Sequence, residues 1–322
     1  LSSDTPWGTA KSMGLGVIGF ADAFAHLSPD IVVLLGDRFE LLCAAQAALV
    51  ARIPVAHIFG GDSTEGAFDE AIRHAITKMS HLHFPVCADS ARRVRQLGED
   101  PARIHMVGSP GLDAVLTTPL LSREELARDL GFVFRSRNLL VTYHPATLGA
   151  RPAPECFAEL LAALDGLGPD TGLLFTRPNA DPAGRELIGM LDAFVAERPW
   201  AAVRTSLGQV RYYSAIAAMD AVVGNSSSGL LEVPSFKKPT VNIGDRQRGR
   251  IQAASVVSCP EERGAIRAAI ERALSLDCST VVNPFGDGHA AEQIRDVLRD
   301  TPDLLGLLAK RFHDLPQAGG SA

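Results

Sequence analysis

The sequence predicts an α/β protein with two domains, each built around a parallel sheet. Short apolar runs alternate with amphipathic stretches of helical periodicity along almost the whole chain, and the runs are continuously apolar. Continuous apolar strands are typical of parallel sheets covered by helices on both faces, as in successive βαβ units. A chain of 322 residues also exceeds what one hydrophobic core usually serves, so two domains are expected.

The apolar runs form two sets of four predicted strands. The first set covers residues 31–35, 55–59, 82–86 and 104–107, and the second covers residues 139–143, 173–176, 221–223 and 240–243. Helical periodicity lies between the runs, for example over residues 39–51, 68–79 and 185–195. Each set is therefore expected to form one sheet.

A domain boundary is predicted near residues 117–119, where Thr-Thr-Pro interrupts the pattern. Ser122 and Glu125 then form a capping box that begins a new helix. We expect an N-terminal domain over residues 1–118 and a C-terminal domain over residues 119–285. The tail, residues 286–322, has helical periodicity between residues 288 and 314.

Composition excludes several classes of function. The net charge of −6 gives no broad positive field for nucleic acid. The five cysteines form no Cys-x-x-Cys pair and are odd in number, which favours reduced cytoplasmic thiols over disulfides or a cysteine zinc site. The longest apolar stretch, residues 41–51, is too short to cross a bilayer, and no secretory signal is recognisable at the N-terminus.

Ligands of such folds bind beyond the carboxyl ends of the strands, so polar residues after the apolar runs are the candidates. Asp37 follows the run 31–35 and Gly36, and glycine lets the backbone turn sharply at a strand end. Asp37 is interpreted either as a carboxylate at the mouth of a site or as a cap for the next helix.

A second motif begins with His57 and a glycine pair and reaches Asp62. Asp69 then lies in the first turn of the next helix, and Arg73 and His74 follow about one turn later on the same side. Carboxylates and a histidine that converge on one strand end are what acid–base chemistry requires. The alternative is a helix with favourable N-terminal charges and a local ion pair.

A third motif places three serines between a strand and a helix. Ser226, Ser227 and Ser228 follow Gly224, and Glu232 lies one turn further on. Backbone N–H groups, hydroxyls and the positive end of a helix favour an anion, and a diphosphate fits this set well. Glu232 could accept hydrogen bonds from ribose hydroxyls. A plain serine cap is the alternative, but it accounts for only one of the three serines.

Three further strand ends carry polar groups. His144 follows the run 139–143, and Asn179 follows the run 173–176. Arg246 begins a group of three arginines within five residues after the run 240–243. In an acidic protein such a group beside a serine-rich helix start indicates phosphate neutralisation, with a solvated surface loop as the alternative.

Together these motifs resemble those of the hydrolysing UDP-N-acetylglucosamine 2-epimerases, which act in sialic acid synthesis and related pathways such as that of legionaminic acid. The resemblance runs in the family's order from about Pro6 to Ile294. Its segments are residues 36–39, 57–61, 69–78, 224–229 and 242–247. It implies a GT-B-like fold, in which two Rossmann-like domains face a cleft and the C-terminal helices cross back to the first domain.

The resemblance also implies a reaction. The C1–O bond of the UDP sugar is cleaved with loss of the C2 proton, giving a 2-acetamidoglycal and UDP. Water then adds with inversion at C2 and releases the free manno-configured sugar. Asp37 and Asp69 would be the acid–base carboxylates. The residues implied to bind the nucleotide or the diphosphate are Arg38, His144, Asn179, Ser226, Ser227, Glu232 and Arg246.

No metal and no nicotinamide cofactor is expected, nor is nucleic acid or a membrane an expected partner. The resemblance implies a homo-oligomer, a dimer or a tetramer, in the cytoplasm. The family usually begins with a strand and a Gly-Thr-Arg phosphate loop, and Leu1 follows that segment in the family's order. We therefore expect the first domain to be incomplete at its N-terminus.

Two positions depart from the family pattern. Phe59 stands where some members carry a catalytic carboxylate, and Asp62 stands where Glu is usual. Asp62 is accordingly a third catalytic candidate. Because of Phe59 and the expected lack of the N-terminal segment, an impaired enzyme or a non-catalytic sugar-nucleotide-binding protein is one alternative function, and a GT-B glycosyltransferase is another.

Overall fold

The computed structural model describes residues 5–63, 68–145, 151–178 and 182–315. The chain forms two compact units. The first contains Leu1–Asp113 and Phe285–Ala322, and the second contains Ala114–Pro284. Every strand pairing in both units is parallel, which confirms the predicted α/β class with one parallel sheet in each unit.

The first unit has a three-stranded sheet in the order β1-β2-β3. Its elements up to the boundary are α1 (Pro6–Leu27), β1 (Val32–Leu35), α2 (Phe39–Val50), β2 (Val55–Ile58), α3 (Asp69–Met79), β3 (Leu82–Phe84), α4 (Ala88–Gln96) and α5 (Asp113–Thr117). Helix α1 was not predicted, because its apolar residues show little periodicity. Its N-cap is Thr5, whose side chain accepts a hydrogen bond from the Gly8 N–H at 3.1 Å.

The predicted strand over residues 104–107 is wrong. The segment makes a single parallel bridge between His83 and Ile104, with backbone bonds from His105 to His83 and from Val107 to the Pro85 carbonyl. Pro85 has no N–H group, so the ladder cannot continue regularly along this edge. The four residues therefore run beside β3 without extending the sheet as a strand.

The second unit has six parallel strands in the order β6-β5-β4-β7-β8-β9. Its elements are α6 (Arg123–Leu130), β4 (Arg137–Thr142), α7 (Ala153–Asp165), β5 (Thr171–Thr176), α8 (Pro182–Ala196), β6 (Ala201–Arg204), α9 (Gly208–Ala218), β7 (Ala221–Gly224), α10 (Ser228–Leu231), β8 (Thr240–Ile243), β9 (Val256–Cys259) and α11 (Arg263–Leu274). Read along the chain, this is the doubly wound order 3-2-1-4-5-6. From β4 the chain adds strands first towards one edge of the sheet and then, from β7, towards the other edge. Folds of this kind bind ligands at the point between β4 and β7 where this change occurs.

Two strands of this sheet, β6 and β9, were not predicted from the sequence. Both are four-residue edge strands with partly exposed side chains, and their apolar runs, residues 201–203 and 256–257, are short and end at a polar residue. The capping box of α6 is confirmed, since the Ser122 hydroxyl accepts from the Glu125 N–H at 3.2 Å and the Glu125 carboxylate accepts from the Ser122 N–H at 2.8 Å.

The chain returns to the first unit through α12 (Ala290–Arg299). The Asp113 carboxylate accepts hydrogen bonds from the N–H groups of Ala290 and Ala291 at 2.9 and 2.7 Å, which caps this helix. Ile294 packs into the core formed by β2 and β3. The tail beyond α12 is less helical than predicted, with only a 3-10 turn over Leu305–Leu308 in the residues that follow up to 315.

The described tail is held by charged groups. Lys310 donates to the buried Glu99 carboxylate at 2.7 Å and to the Lys78 and Ser80 carbonyl oxygens at 2.7 Å each. Burial of a carboxylate is tolerated here because His83 also bonds it, at 2.9 Å. Within the described ranges, no helix combines the length and apolar character that crossing a membrane requires.

Candidate active site

Two carboxylates, those of Asp37 and Glu70, and the backbone carbonyl oxygen of Asp62 meet around one buried arginine beyond the carboxyl ends of β1 and β2. The Arg73 side chain, on α3, is 4 % exposed. Its guanidinium donates to the Asp37 carboxylate, to Glu70 Oε2 at 2.7 Å and to the Asp62 carbonyl oxygen at 2.8 Å. We call Asp37, Asp62, Glu70 and Arg73 the carboxylate cluster. A buried guanidinium needs such partners, because an unpaired charge in the interior is strongly unfavourable.

Asp62 is fixed by its side chain as well. The buried Ser90 hydroxyl, on α4, donates to Asp62 Oδ1 at 2.5 Å, and the Cys87 sulfur lies 3.2 Å from the same hydroxyl. The approach depends on Gly61, which has a φ of 81° and where a Cβ would lie 2.2 Å from the Ser90 carbonyl oxygen. A side chain at position 61 would therefore push α4 away from Asp62.

Glu70 is a residue that the sequence motifs did not single out. Besides Arg73, its carboxylate accepts from Ser63 at 3.1 Å and lies 3.1 Å from His74 Nε2. Arg73 and His74 thus pair with Glu70, at i+3 and i+4, and not with Asp69. The spacing alone could have pointed to Glu70 as readily as to its neighbour.

Asp69 and Arg38 lie outside the carboxylate cluster. Asp69 is the first residue of α3 and is partly buried, and in the described part of the chain no hydrogen bond or ion pair joins its carboxylate to another group. Arg38 is largely exposed and pairs with Glu40 at 3.7 Å. Both remain near the strand ends, Arg38 directly after Asp37 and Asp69 directly before Glu70.

A buried histidine lies beneath the cluster. The His57 side chain, in the middle of β2, is fully buried, with Nε2 2.8 Å from the Gly36 carbonyl oxygen and Nδ1 3.1 Å from the Thr77 hydroxyl. A carbonyl oxygen only accepts, so Nε2 carries the proton and Nδ1 accepts from Thr77. Burial lowers the pKa of His57 to about 4, and the bond to Gly36 opposes this shift.

This lowered pKa predicts acid sensitivity of the first unit. An unfolded histidine titrates near 6.5, so between pH 6.5 and about 4 the unfolded state binds more protons at this position. Stability is therefore present above pH 6.5 and is lost as the pH falls through this window. The wild-type free energy of unfolding, relative to that of His57→Gln, should fall by about 2 kcal/mol between pH 7 and pH 5. Urea unfolding at the two pH values measures it, and a pH-independent difference would contradict it.

In the second unit, Asn225 joins the strands that flank the switch point. Asn225 follows β7 and is 1 % exposed. Its side chain accepts from the His144 N–H and donates to the His144 carbonyl oxygen, each at 2.8 Å, and so links the ends of β7 and β4. Its own carbonyl oxygen accepts from Arg246 at 3.1 Å and from Gln247 at 2.9 Å, which adds the loop after β8.

The predicted phosphate-binding serines lie at this junction. Ser226 and Ser227 are half-buried, and among the described residues their backbone N–H groups donate to no acceptor. Free N–H groups beside hydroxyls form a concave donor set for an anion. The helix that follows is shorter than expected. α10 has four residues and continues as a 3-10 turn over Val233–Phe236, so its dipole adds less than a long helix would.

Glu232 lies directly after α10. Burial raises the pKa of its carboxyl group, which the Ser228 hydroxyl opposes, and Glu232 Oε2 is buried with no partner in the described structure. A buried acceptor without a partner is unfavourable unless an ordered water or a ligand hydroxyl supplies one. The Tyr212 hydroxyl donates a hydrogen bond to Ser228 Oγ at 2.7 Å, so this oxygen already has a donor within the protein.

The remaining predicted residues are placed as follows. His144 and Arg246 share Asn225 as a partner, and Asn179 lies outside the described residues. Arg248 forms an exposed ion pair with Asp245 at 3.7 Å. No group of three or more His, Cys, Asp or Glu residues suited to a metal ion occurs in the ranges that the structure describes.

The Asn225 junction predicts a specific loss of nucleotide affinity. In Asn225→Asp, a buried carboxylate oxygen faces the His144 carbonyl oxygen where an N–H group now donates, so the two repel. We expect a loss of about 3 kcal/mol of stability and at least tenfold weaker UDP binding. Thermal unfolding and calorimetric titration with UDP measure the two effects.

Asn138→Asp is the matched control. Asn138 is also 1 % exposed and holds both backbone groups of Arg135, at 2.8 and 2.9 Å, but at the opposite end of β4. This variant should lose stability and keep the UDP affinity of the wild type. Equal loss of affinity in both variants would show that Asn225 acts only through general stability.

Known proteins match this chain along most of its length. Residues 1–299 match the family described as UDP-N-acetylglucosamine 2-epimerase. A "GDP/UDP-N,N'-diacetylbacillosamine 2-epimerase (hydrolyzing)" of Campylobacter jejuni is 38% identical over 80% of this chain and 67% of its own length. The "Polysialic acid biosynthesis protein P7" of Escherichia coli is 34% identical over 95% of this chain and 79% of its own length.

Solved structures show the same fold. A UDP-GlcNAc 2-epimerase from Neisseria meningitidis, bound to UDP-GlcNAc, has a TM-score of 0.75 at 18% identity and covers 93% of this chain and 84% of its own. The UDP-GlcNAc 2-epimerase from Methanocaldococcus jannaschii has a TM-score of 0.74 at 18% identity, with 92% and 84% covered. At these identities the likeness concerns the fold alone.

Proposed function

The chain belongs to the UDP-N-acetylglucosamine 2-epimerase family, and from this membership we propose that it is a hydrolysing 2-epimerase. It converts a UDP-2-acetamido sugar into UDP and the free manno-configured N-acetyl sugar. The observation that carries the proposal is the carboxylate cluster, in which Arg73 holds the carboxylates of Asp37 and Glu70 and the backbone of Asp62 beyond two adjacent strand ends. Proton exchange at C2 needs acid–base groups of this kind.

The reaction divides into two steps. In the first, a carboxylate removes the C2 proton while the C1–O bond breaks, and its electron pair leaves with the diphosphate of UDP. This gives a 2-acetamidoglycal. In the second, water adds its hydroxyl to C1, and a protonated carboxyl group delivers a proton to the opposite face of C2. Asp37, Asp62, Glu70 and Asp69 are the proposed sources and acceptors of these protons.

The second unit holds the leaving group. Negative charge grows on the diphosphate as the C1–O bond breaks, and fixed donors stabilise charge where it develops. The N–H groups of Ser226 and Ser227, which donate to no acceptor in the described ranges, and the guanidinium of Arg246 support this role. The unpartnered Glu232 oxygen supports binding of ribose hydroxyls. His144, Arg38 and Asn179 are proposed to contact the nucleotide or the diphosphate.

The names of two relatives support a substrate class. The Campylobacter jejuni protein, 38% identical to this chain, is named for GDP/UDP-N,N'-diacetylbacillosamine, and the Legionella pneumophila protein, 32% identical, is named for UDP-N,N'-diacetylbacillosamine. We propose that this 2,4-diacetamido-6-deoxy sugar nucleotide or UDP-GlcNAc is the substrate. The free sugar released would then be a precursor of sialic or legionaminic acid.

A coupled assay for UDP release with each sugar nucleotide tests the function. The expected result is UDP and a free N-acetyl sugar from at least one of them, without an acceptor. UDP binding in calorimetry without turnover would favour a binding protein instead, and restored turnover in Phe59→Glu would then identify an impaired enzyme. Turnover only with an added acceptor would favour a glycosyltransferase.

Assembly and location complete the proposal. All five cysteines are free thiols, which supports a reducing compartment, and we place the enzyme in the cytoplasm. We propose a homo-oligomer, a dimer or a tetramer. Trp7, Leu15 and Ile18 give α1 exposed apolar surface, which supports an association between copies. Light scattering during size-exclusion chromatography measures the oligomeric state.

A further inference from the structure

His57 stands out because it places a polar ring in an otherwise apolar strand. Its neighbours along β2 are Val55, Ala56 and Ile58, all buried, and the imidazole itself is fully buried. A buried polar ring is unfavourable unless its hydrogen bonds are satisfied. Both ring nitrogens have partners, and these partners lie on two different elements, the end of β1 and helix α3.

The first partner controls the turn that carries Asp37. Gly36 ends β1 with a φ of 97°, a conformation that side chains rarely adopt. Its N–H donates to the Ile58 carbonyl oxygen at 3.0 Å, and its carbonyl oxygen accepts from His57 at 2.8 Å. Both peptide groups of Gly36 are therefore anchored to β2. The Gly36 carbonyl oxygen belongs to the planar peptide group that joins Gly36 to Asp37, so its anchoring positions the backbone of Asp37.

The second partner connects the same ring to α3. The Thr77 hydroxyl lies 3.1 Å from His57 Nδ1 and 2.9 Å from the Arg73 carbonyl oxygen. That carbonyl oxygen already accepts the helical N–H of Thr77, so the hydroxyl proton can serve the imidazole. Gly60 leaves room for this contact, because a Cβ there would lie 2.9 Å from the Thr77 hydroxyl. One ring thus ties the Asp37 turn to the helix that carries Arg73 and Glu70.

We propose that His57, together with Thr77, is a positioning residue that sets Asp37 in register with Arg73 and Glu70. The inference rests on the proposed function. His57 takes no part in proton transfer, since Gly36 and Thr77 engage both nitrogens and the ring is closed to solvent. Its effect is geometric. A misplacement of about 1 Å at a reacting group can cost about a hundredfold in rate.

Two pairs of variants test the proposal. His57→Leu and Thr77→Val remove the polar contacts at nearly constant size, and each should lower kcat, by up to about a hundredfold for the first. His57→Gln keeps an N–H donor near the position of Nε2, and Thr77→Ser keeps the hydroxyl, so both should recover most of the activity. The UDP affinity and the pH dependence of kcat should match the wild type in both conservative variants.

His81→Leu separates positioning from general stability. His81 is also buried and accepts from the Val55 N–H at 3.1 Å, at the opposite end of β2. This variant should lower the melting temperature about as much as His57→Leu and leave kcat near the wild-type value. Equal kcat losses in the two variants, or wild-type kcat in His57→Leu, would overturn the proposal.

A crystal structure tests the role of His57 independently of the proposed function. If the wild-type protein releases no UDP from either sugar nucleotide, the function fails and kcat says nothing about His57. A crystal structure of His57→Leu then decides. The proposal expects a displaced Gly36 turn, with Asp37 parted from Arg73. An unchanged turn with the Asp37–Arg73 pair intact would contradict it.

Discussion

Replacing Asp37 by asparagine is expected to lower kcat for UDP release by about a thousandfold, within the range found for general acid–base groups. The amide keeps the size of the carboxylate and can still accept a bond from Arg73, so the turn should persist. It can neither remove a proton from C2 nor return one. Steady-state assays of UDP release measure kcat, and calorimetry with UDP should give the wild-type affinity.

Asp89→Asn is the control for this variant. Asp89 belongs to α4 of the same unit, is about half exposed and forms only a surface pair with Arg92 at 3.4 Å. Its replacement should change kcat less than twofold, since exposed pairs contribute little. If Asp37→Asn retained more than a tenth of the wild-type kcat, Asp37 would not be an acid–base group of this reaction.

Replacing Gly224 by alanine is expected to cost more than about 4 kcal/mol of stability, a loss seen only when a mutation forces a severe conflict. Gly224 ends β7 with a φ of 143°, and an added Cβ would lie 1.8 Å from the Thr142 carbonyl oxygen on β4. Because the Thr142 carbonyl oxygen is a backbone atom, no side-chain rotation can relieve the clash, and β4 and β7 must move apart. The Asn225 N–H, which donates to the same oxygen at 3.2 Å, would be displaced with it.

Gly189→Ala provides the comparison. Gly189 lies inside α8, and a Cβ there meets nothing within 4 Å. Alanine is the better helix former, so this variant should be more stable than the wild type by about 0.8 kcal/mol. Thermal unfolding of both variants, with UDP binding as a second readout, measures the contrast. A Gly224→Ala protein that melts within a few degrees of the wild type would contradict the description of this strand end.

Much of the fold could be predicted from local pattern, and the exceptions have physical reasons. β2, β4 and β7 are buried on both faces, so their apolar runs are continuous. β6 and β9 lie at sheet edges and tolerate polar residues, which hides them from this criterion. Helix α1 is apolar over much of its surface, and its periodicity is correspondingly weak.

The candidate site was predictable to the level of segments. Strand-end position alone selects Asp37, Asp62, Ser226 and Arg246 as candidate site residues. It did not separate Asp69 from Glu70, because adjacent helical residues differ only in the direction in which they point. Glu70 joins the cluster because it pairs with Arg73. The position of Arg73 in turn depends on Asp37, which is 36 residues away in sequence.

Buried polar residues below the site were harder still to predict. Ser90 and Asn225 act through hydrogen bonds to residues 28 and 81 positions away. Neither residue type signals such a role by its sequence neighbours, since both are common at turns and caps. Only the packing of α4 on Gly61 and of β7 on β4 brings these groups to their partners.

The account depends on one chemical claim, that carboxylates of the first unit exchange the C2 proton while the diphosphate leaves C1. The most direct test is turnover of the accepted sugar nucleotide in deuterium oxide enriched in heavy oxygen, with mass spectrometry of both products. The account predicts a free sugar with one deuterium at C2 and one heavy oxygen at C1, and UDP without label. A sugar that keeps its original C2 hydrogen, or heavy oxygen in the UDP, would contradict it.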